Sequence, residues 1–179
     1  MSTIIQKDFN LLAAIHFENK FYVNLYEISA VMQIETFDPK QQNIAIERMT
    51  YFFQVLEDCI FVQDDEKEAI EKYTNAGLRV CLVPEEPYDQ ILGLILLNKC
   101  NAIMENRITV TDFTIGSKLS NLIKFNLTDE MAANEFTGKH WWNDSNLNLT
   151  NKSKKKEKIV KLSDYKDDWA EVDLTWKSK

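Results

Sequence analysis

Four carboxylates are the residues of this chain best suited to chemistry: Glu85, Glu86 and Asp89, closely spaced, and Asp112 further on. Carboxylates brought together can hold a divalent cation, because Mg2+ and Mn2+ are hard ions that prefer oxygen ligands. Two such ions would support hydrolysis of a phosphodiester or phosphate ester. In that reading Glu85 and Asp89 are the metal ligands, and all four carboxylates form the catalytic set. A plainer reading needs no convergence. Glu85, Glu86 and Asp89 precede a long apolar stretch, and acidic residues at a helix start complement its dipole. The plainer reading leads, so no catalytic, metal or cofactor residue is assigned and no cofactor is expected.

The other reactive residue types lack partners in the sequence. His16 lies in an apolar strand pattern, which suits a hydrogen-bonded sheet residue. His140 stands beside Trp141 and Trp142 with no cysteine, histidine or aspartate set around it. Ser29, Ser117 and Ser120 lack the G-x-S-x-G context of an exposed nucleophile. Neither G-x-x-x-x-G-K-[ST] nor G-x-G-x-x-G occurs, which removes the usual phosphate cradles. The three cysteines, Cys59, Cys81 and Cys100, sit in apolar runs without metal or disulfide spacing. Buried thiols suit a reducing cytoplasm.

The stretch from Arg79 to Ile115 organises the chain. Arg79–Val83 reads as a strand ended by Pro84. Pro87 suits the first turn of a helix. From Ile91 to Met104 apolar residues surround most of the helix, so Tyr88–Met104 should be buried on several sides. Ile108–Ile115 reads as a second strand. The unit is either a parallel crossover or a helix laid across an antiparallel sheet.

Before it, Leu11–Phe17 and Phe21–Phe37 form a hairpin around Glu18–Lys20. The second run is long enough to need a bend, bulge or short helix near Ser29–Ala30. Asp38 and Pro39 begin a helix whose Ile44, Ala45, Met49, Phe52, Phe53 and Leu56 fall at helical spacing. Cys59–Val62 is a strand, Glu66–Asn75 a charged helix, and Gly77 its left-handed end. Ser117–Asn121 is a turn. Leu122–Leu127 is a last strand, with Ile123, Phe125 and Leu127 on one face. The fold class is α+β or small α/β: an N-terminal β-hairpin, then strand-helix-strand-helix-strand around a buried central helix. One domain is expected over residues 1–128, with a polar, partly extended tail over 129–179.

Charge divides along the same line. The chain carries a formal net charge of -7. Residues 1–128 hold 11 basic and 18 acidic residues, whereas 129–179 hold ten of each. An acidic domain repels nucleic acid. The lysines at 152–161, with Lys154, Lys155 and Lys156 at their centre, are the one nucleic-acid-like feature, and acidic residues at 164–173 can neutralise them in cis. All four tryptophans, Trp141, Trp142, Trp169 and Trp176, lie in the polar tail. Exposed indoles are costly, so each should dock on the domain or on a partner. In an extended segment neighbouring side chains point apart. At least one of Trp141 and Trp142 should therefore pack on the domain near the hairpin or the Ile44–Leu56 helix, the other being the better candidate for a partner anchor.

The segment PEEPYDQILGLILLNKCNAIMENRI at 84–108 and GKHWWN at 138–143 resemble small accessory proteins of large tailed bacteriophages, over residues 44–142. The resemblance implies expression in the cytoplasm of an infected bacterium. It brings no function onto particular residues.

The leading expectation is a non-enzymatic, acidic, cytoplasmic binding or regulatory protein acting on a macromolecular, protein partner. Trp141, Trp142, Trp169, Trp176, Lys154, Lys155 and Lys156 are its partner-binding candidates. The alternatives are the metal-dependent phosphoesterase and a self-associating structural or assembly component. No membrane attachment is expected.

Overall fold

The computed structural model describes residues 3–57, 59–136, 138–147 and 149. Its frame is a hairpin of two 15-residue strands, β1 (Thr3–Phe17) and β2 (Lys20–Ile34). They pair antiparallel along their whole length, from Thr3 opposite Ile34 to Phe17 opposite Lys20. Strict alternation drives this. Leu11, Ala13 and Ile15 of β1 and Tyr26, Ile28, Ala30 and Met32 of β2 face the core. The hairpin begins earlier than the sequence pattern suggested, and β2 runs unbroken through Ser29–Ala30.

The turn itself is strained. Glu18 and Asn19 have φ of 48° and 61°. Two left-handed residues between antiparallel strands make the turn type that favours Asn-Gly. Glutamate has no short side chain to ease that conformation. Glu18→Asn with Asn19→Gly is expected to raise stability by about 1–2 kcal/mol, read from denaturant midpoints at unchanged slope.

Helix α1 (Pro39–Leu56) starts as its sequence suggests, with Asp38 accepting a 3.0 Å hydrogen bond from the Lys40 amide. Strand β3 (Cys59–Gln63), helix α2 (Lys67–Asn75) and strand β4 (Arg79–Val83) follow. Gly77 takes φ +79° after α2. Helix α3 (Asp89–Met104) leads to β5 (Ile108–Ser117), β6 (Lys124–Thr128) and a short α4 (Asp129–Asn134). A single 3-10 turn spans Trp141–Asn143. The domain is a small α/β fold.

The six strands lie in the order β4-β3-β1-β2-β5-β6. β3 is parallel to β1 and to β4, while β2–β5 and β5–β6 are antiparallel. β4 and β5 are therefore separated by three strands. β4 and β5 run parallel, so of the two alternatives the unit is the parallel crossover, with α3 passing three intervening strands. The sheet's one register shift among the described β2–β5 pairs lies at Val31/Met32, where Thr111 is the extra residue on β5.

Both α1 and α3 cover one face of the sheet and share its main core. α3 is buried on nearly all sides because it also meets α4 and the Trp141–Asn143 turn. Gly93 lets it sit close: a Cβ there would stand 2.7 Å from Ile115 Cγ2. α2 covers part of the opposite face, where Ala69 and Tyr73 pack with Ile60 and Val62 of β3 and against Val80 of β4. The expected boundary after Thr128 does not separate packed from unpacked chain, since Ala132, Trp141, Trp142 and Leu149 belong to the main core. The last strand starts at Lys124, and Ile123 is left exposed before it. Among the described residues no helix is long and apolar enough to cross a membrane.

Candidate functional site

The four carboxylates do not come together. Tyr26 and Ser117 are paired in register on the core face, where α3 lies. Asp89 sits there at the first turn of α3, and its Oδ1 accepts from Ser117 Oγ at 2.9 Å. Asp112 pairs with Val31, an odd-numbered β2 residue, and so belongs to the opposite face, where it is exposed. Its Oδ2 accepts from the Thr111 hydroxyl at 2.9 Å. Glu85 is exposed in the loop before α3, and Glu86 stands beside the Tyr88 hydroxyl, raising that phenol by hydrogen bonding. Among the described residues no three histidine, cysteine or acidic side chains form a metal-holding group. The set of four carboxylates is therefore not assembled, because Asp112 stands on the face opposite Asp89.

Asp89 instead belongs to a small polar cluster. Its Oδ2 accepts from Ser120 Oγ at 2.7 Å. The carboxylate thereby fastens the turn after β5 to the start of α3. Tyr26 is also part of the cluster. Burial raises its phenol, Asn24 pulls it down, and the Asp89 charge raises it again. Tyr26 Oη and both amide atoms of Asn24 are buried without a hydrogen-bond partner of good geometry. In front of this cluster opens a pocket of about 280 Å3, whose walls include Phe17, Tyr22, Tyr88 and Phe125.

Trp141 and Trp142 are both in the core, at 3% and 2% exposure. The expectation that one would be free to anchor a partner came from an extended segment. The 3-10 turn instead places both rings inward, edge to face with centroids 5.6 Å apart. Trp141 Nε1 donates to Leu82 O at 2.8 Å, and Trp142 Nε1 donates to Phe136 O at 3.1 Å. His140 stacks on Trp142 at 4.4 Å. Trp169, Trp176, Lys154, Lys155 and Lys156 lie outside the described residues.

The device that holds this segment was not read from the sequence. Lys99 is 0% exposed in the middle of α3. Its Nζ donates to Trp141 O at 2.7 Å, Asp144 O at 2.6 Å and Asn146 O. Three N–H groups thus meet three carbonyls, which satisfies the ammonium without a carboxylate contact. Arg48 of α1 adds a 2.6 Å bond to Ser145 O and a 2.7 Å bond to Ile103 O. A lone charge inside an apolar helix was the available signal.

His16 is a structural sheet residue, joined to Tyr73 Oη at 2.9 Å and Glu66 Oε2 at 3.1 Å. Beyond it the α2 side of the sheet is open. Leu12, Phe21, Val23 and Leu78 are 53%, 47%, 60% and 42% exposed. They line a groove of about 470 Å3 with Glu57 and Arg79 at its rim. Glu68 and Glu71 of α2 are exposed on the same side.

Compared with known proteins, the chain matches no family model and no curated protein sequence.

Proposed function

We propose that this is a non-enzymatic protein-binding domain that docks a partner on the uncovered half of its sheet. One observation carries the reading: the contiguous exposed apolar strip of Leu12, Phe21, Val23 and Leu78. Scattered apolar residues on a surface mean little, but a patch rimmed by polar groups is the usual mark of an interface. The rim holds both Glu57 and Arg79, but α2 on the same side presents exposed Glu68 and Glu71, and the first 128 residues carry an acidic excess. The partner is therefore a protein presenting apolar side chains ringed by lysine and arginine, since opposed charges steer encounter and set register. A bacterial host cytoplasm, as the resemblance implies, is the proposed setting.

Photo-crosslinking from position 23 in cells expressing the full chain tests this. A defined heterologous protein should be captured, with its crosslinked site next to basic residues. Leu12→Glu with Val23→Glu should abolish capture. Stability should shift by no more than about 0.5 kcal/mol per site, as at other surface positions. Crosslinks to a second copy would favour the self-association reading. Crosslinks to residues 150–179 of the same chain would mean that this face is covered in cis. Either result overturns the proposal.

A further inference from the structure

We infer that the pocket at the start of α3 is a binding site for a protonated amine carrying a small aromatic or alkyl group. The site lies on the helix-covered side of the sheet, away from the open face, and does not depend on the partner reading.

The walls and the floor of the pocket call for different chemistry. Phe17, Tyr22, Tyr88 and Phe125 supply aromatic walls, with Phe17 and Tyr88 edge to face at 5.1 Å. The floor holds the Asp89 carboxylate, 7% exposed, with Ser120 beside it. A buried carboxylate is expensive unless a cation accompanies it. Here both oxygens have only serine hydroxyls: among the described residues no lysine, arginine or histidine nitrogen reaches Asp89 within 4.0 Å. The ion pair is incomplete, and the opening is aromatic.

A second observation points the same way. Asn24 lies on the core face of β2 between Tyr22, a pocket wall, and Tyr26. Its amide and the Tyr26 hydroxyl are buried and meet no partner of good geometry beyond their contact with each other. Asn24 reaches Tyr26 by a side-chain hydrogen bond and Asp89 acts on it by charge, which places all three in one cluster. Buried polar atoms are rarely left unmatched. An ammonium has three N–H donors and no acceptor. Asp89 and the Ser120 hydroxyl, both in the pocket lining, offer oxygens to such donors, with Asn24 and Tyr26 in the same cluster outside the lining.

The other ligand classes fit less well. A hard metal ion requires several oxygen ligands, and the walls are hydrocarbon. A phosphate or carboxylate would meet Asp89 with like charge. A neutral apolar molecule would leave the floor unsatisfied. The volume of about 280 Å3 is at the small end for ligand pockets, roughly 300–1,000 Å3, so the ligand is a fragment-sized amine. Cations also bind favourably over aromatic faces. The amine belongs to a free metabolite or to a lysine or N-terminus on a partner protein.

Titration of the full chain with 2-phenylethylamine at neutral pH, followed by amide chemical shifts, tests the inference. The neutral 2-phenylethanol serves as isostere, and an acetylated-lysine peptide is compared with its free-lysine form. Saturable shifts should centre on residues 15–26, 87–89 and 117–125. The amine should bind roughly tenfold or more tightly than the alcohol, the worth of a charge-assisted hydrogen bond. Asp89→Asn should erase that preference. Tyr88→Ala changes a half-exposed wall and should weaken both probes, which keeps the test open if Asp89→Asn fails to fold. Selectivity for the free over the acetylated lysine peptide, beyond that for 2-phenylethylamine, supports the partner source. Equal binding of amine and alcohol, or no saturable binding of the amine to the wild-type chain, overturns the inference and leaves Asp89 as a fastener of the turn after β5.

Discussion

A chain ending at Thr128 is expected to lose its cooperative fold. The cut removes Ala132, Trp141, Trp142 and Leu149, all members of the main core. Truncating one buried tryptophan costs about 3–5 kcal/mol, and whole domains are stable by only about 5–15 kcal/mol. Loss of both indoles therefore consumes most or all of the reserve. The cut also uncovers α3, whose Leu94, Ile95 and Leu97 are buried. Thermal melting by circular dichroism should show no sharp transition for residues 1–128. Trp141→Ala in the full chain should lower stability by about 3–5 kcal/mol in the same assay. A fragment melting within about 1 kcal/mol of the full chain, the range of a surface substitution, would mean that the turn at Trp141–Asn143 only rests on the domain.

Lys99→Met should also be costly, by about 2–5 kcal/mol, because each buried carbonyl left without a donor costs about 1–3 kcal/mol and water can reach some of them. Methionine fills much of the same volume, so the loss reports the hydrogen bonds and not a cavity. The effect should depend on pH. Burial lowers the Lys99 ammonium from 10.5 to about 8, against the opposing pull of Asp144. The unfolded chain then holds this proton more tightly than the folded one. Stability from this group is lowest below about pH 8 and rises between about pH 8 and 10.5. The buried thiols act oppositely. Burial raises Cys81 and takes Cys100 to about 12, so they favour unfolding once the pH exceeds the ordinary thiol value of 9.0. Both thiols feel the Lys99 charge, which lowers them, so the comparison isolates the lysine only below the ordinary thiol value of 9.0. Urea titrations should show the difference widening from pH 8 towards about pH 9. A constant difference would contradict the lowered ammonium.

Much of the fold was legible because it depends on local pattern. The alternation of Leu11–Ile15 marked a strand, Asp38–Pro39 marked a helix start, and the continuous apolar run after Ile91 marked a helix with no solvent face. The strand order was not legible. Nothing between Val83 and Ile108 states that α3 passes three strands before β5 pairs with β2. The site followed the same division. Carboxylate spacing placed Glu85, Glu86 and Asp89 at a helix start. Their relation to Asp112 depends on parity along β5, which the extra residue Thr111 resets. Ser117 and Ser120 join Asp89 only through that long-range pairing. Packing of at least one tryptophan of the pair on the domain was legible, but burial of both was not. Alternation in an extended chain does not hold in a 3-10 turn, where neighbouring side chains need not point apart.

The bond from Trp141 to the Leu82 carbonyl has a consequence for how other chains can approach. β4 is an edge strand, and an edge presents unpaired backbone groups on which a foreign strand can grow. Val83 O is turned toward the β3 side, where it accepts from Asp64 N, so Leu82 O points outward. The indole takes that acceptor, and its ring occupies space that an added strand would need. At the other edge β6 is only five residues long and begins at Lys124. Short strands and lysines both discourage growth. Both edges of the sheet are thus poor templates for an added strand, and the surface it leaves open is a face of side chains.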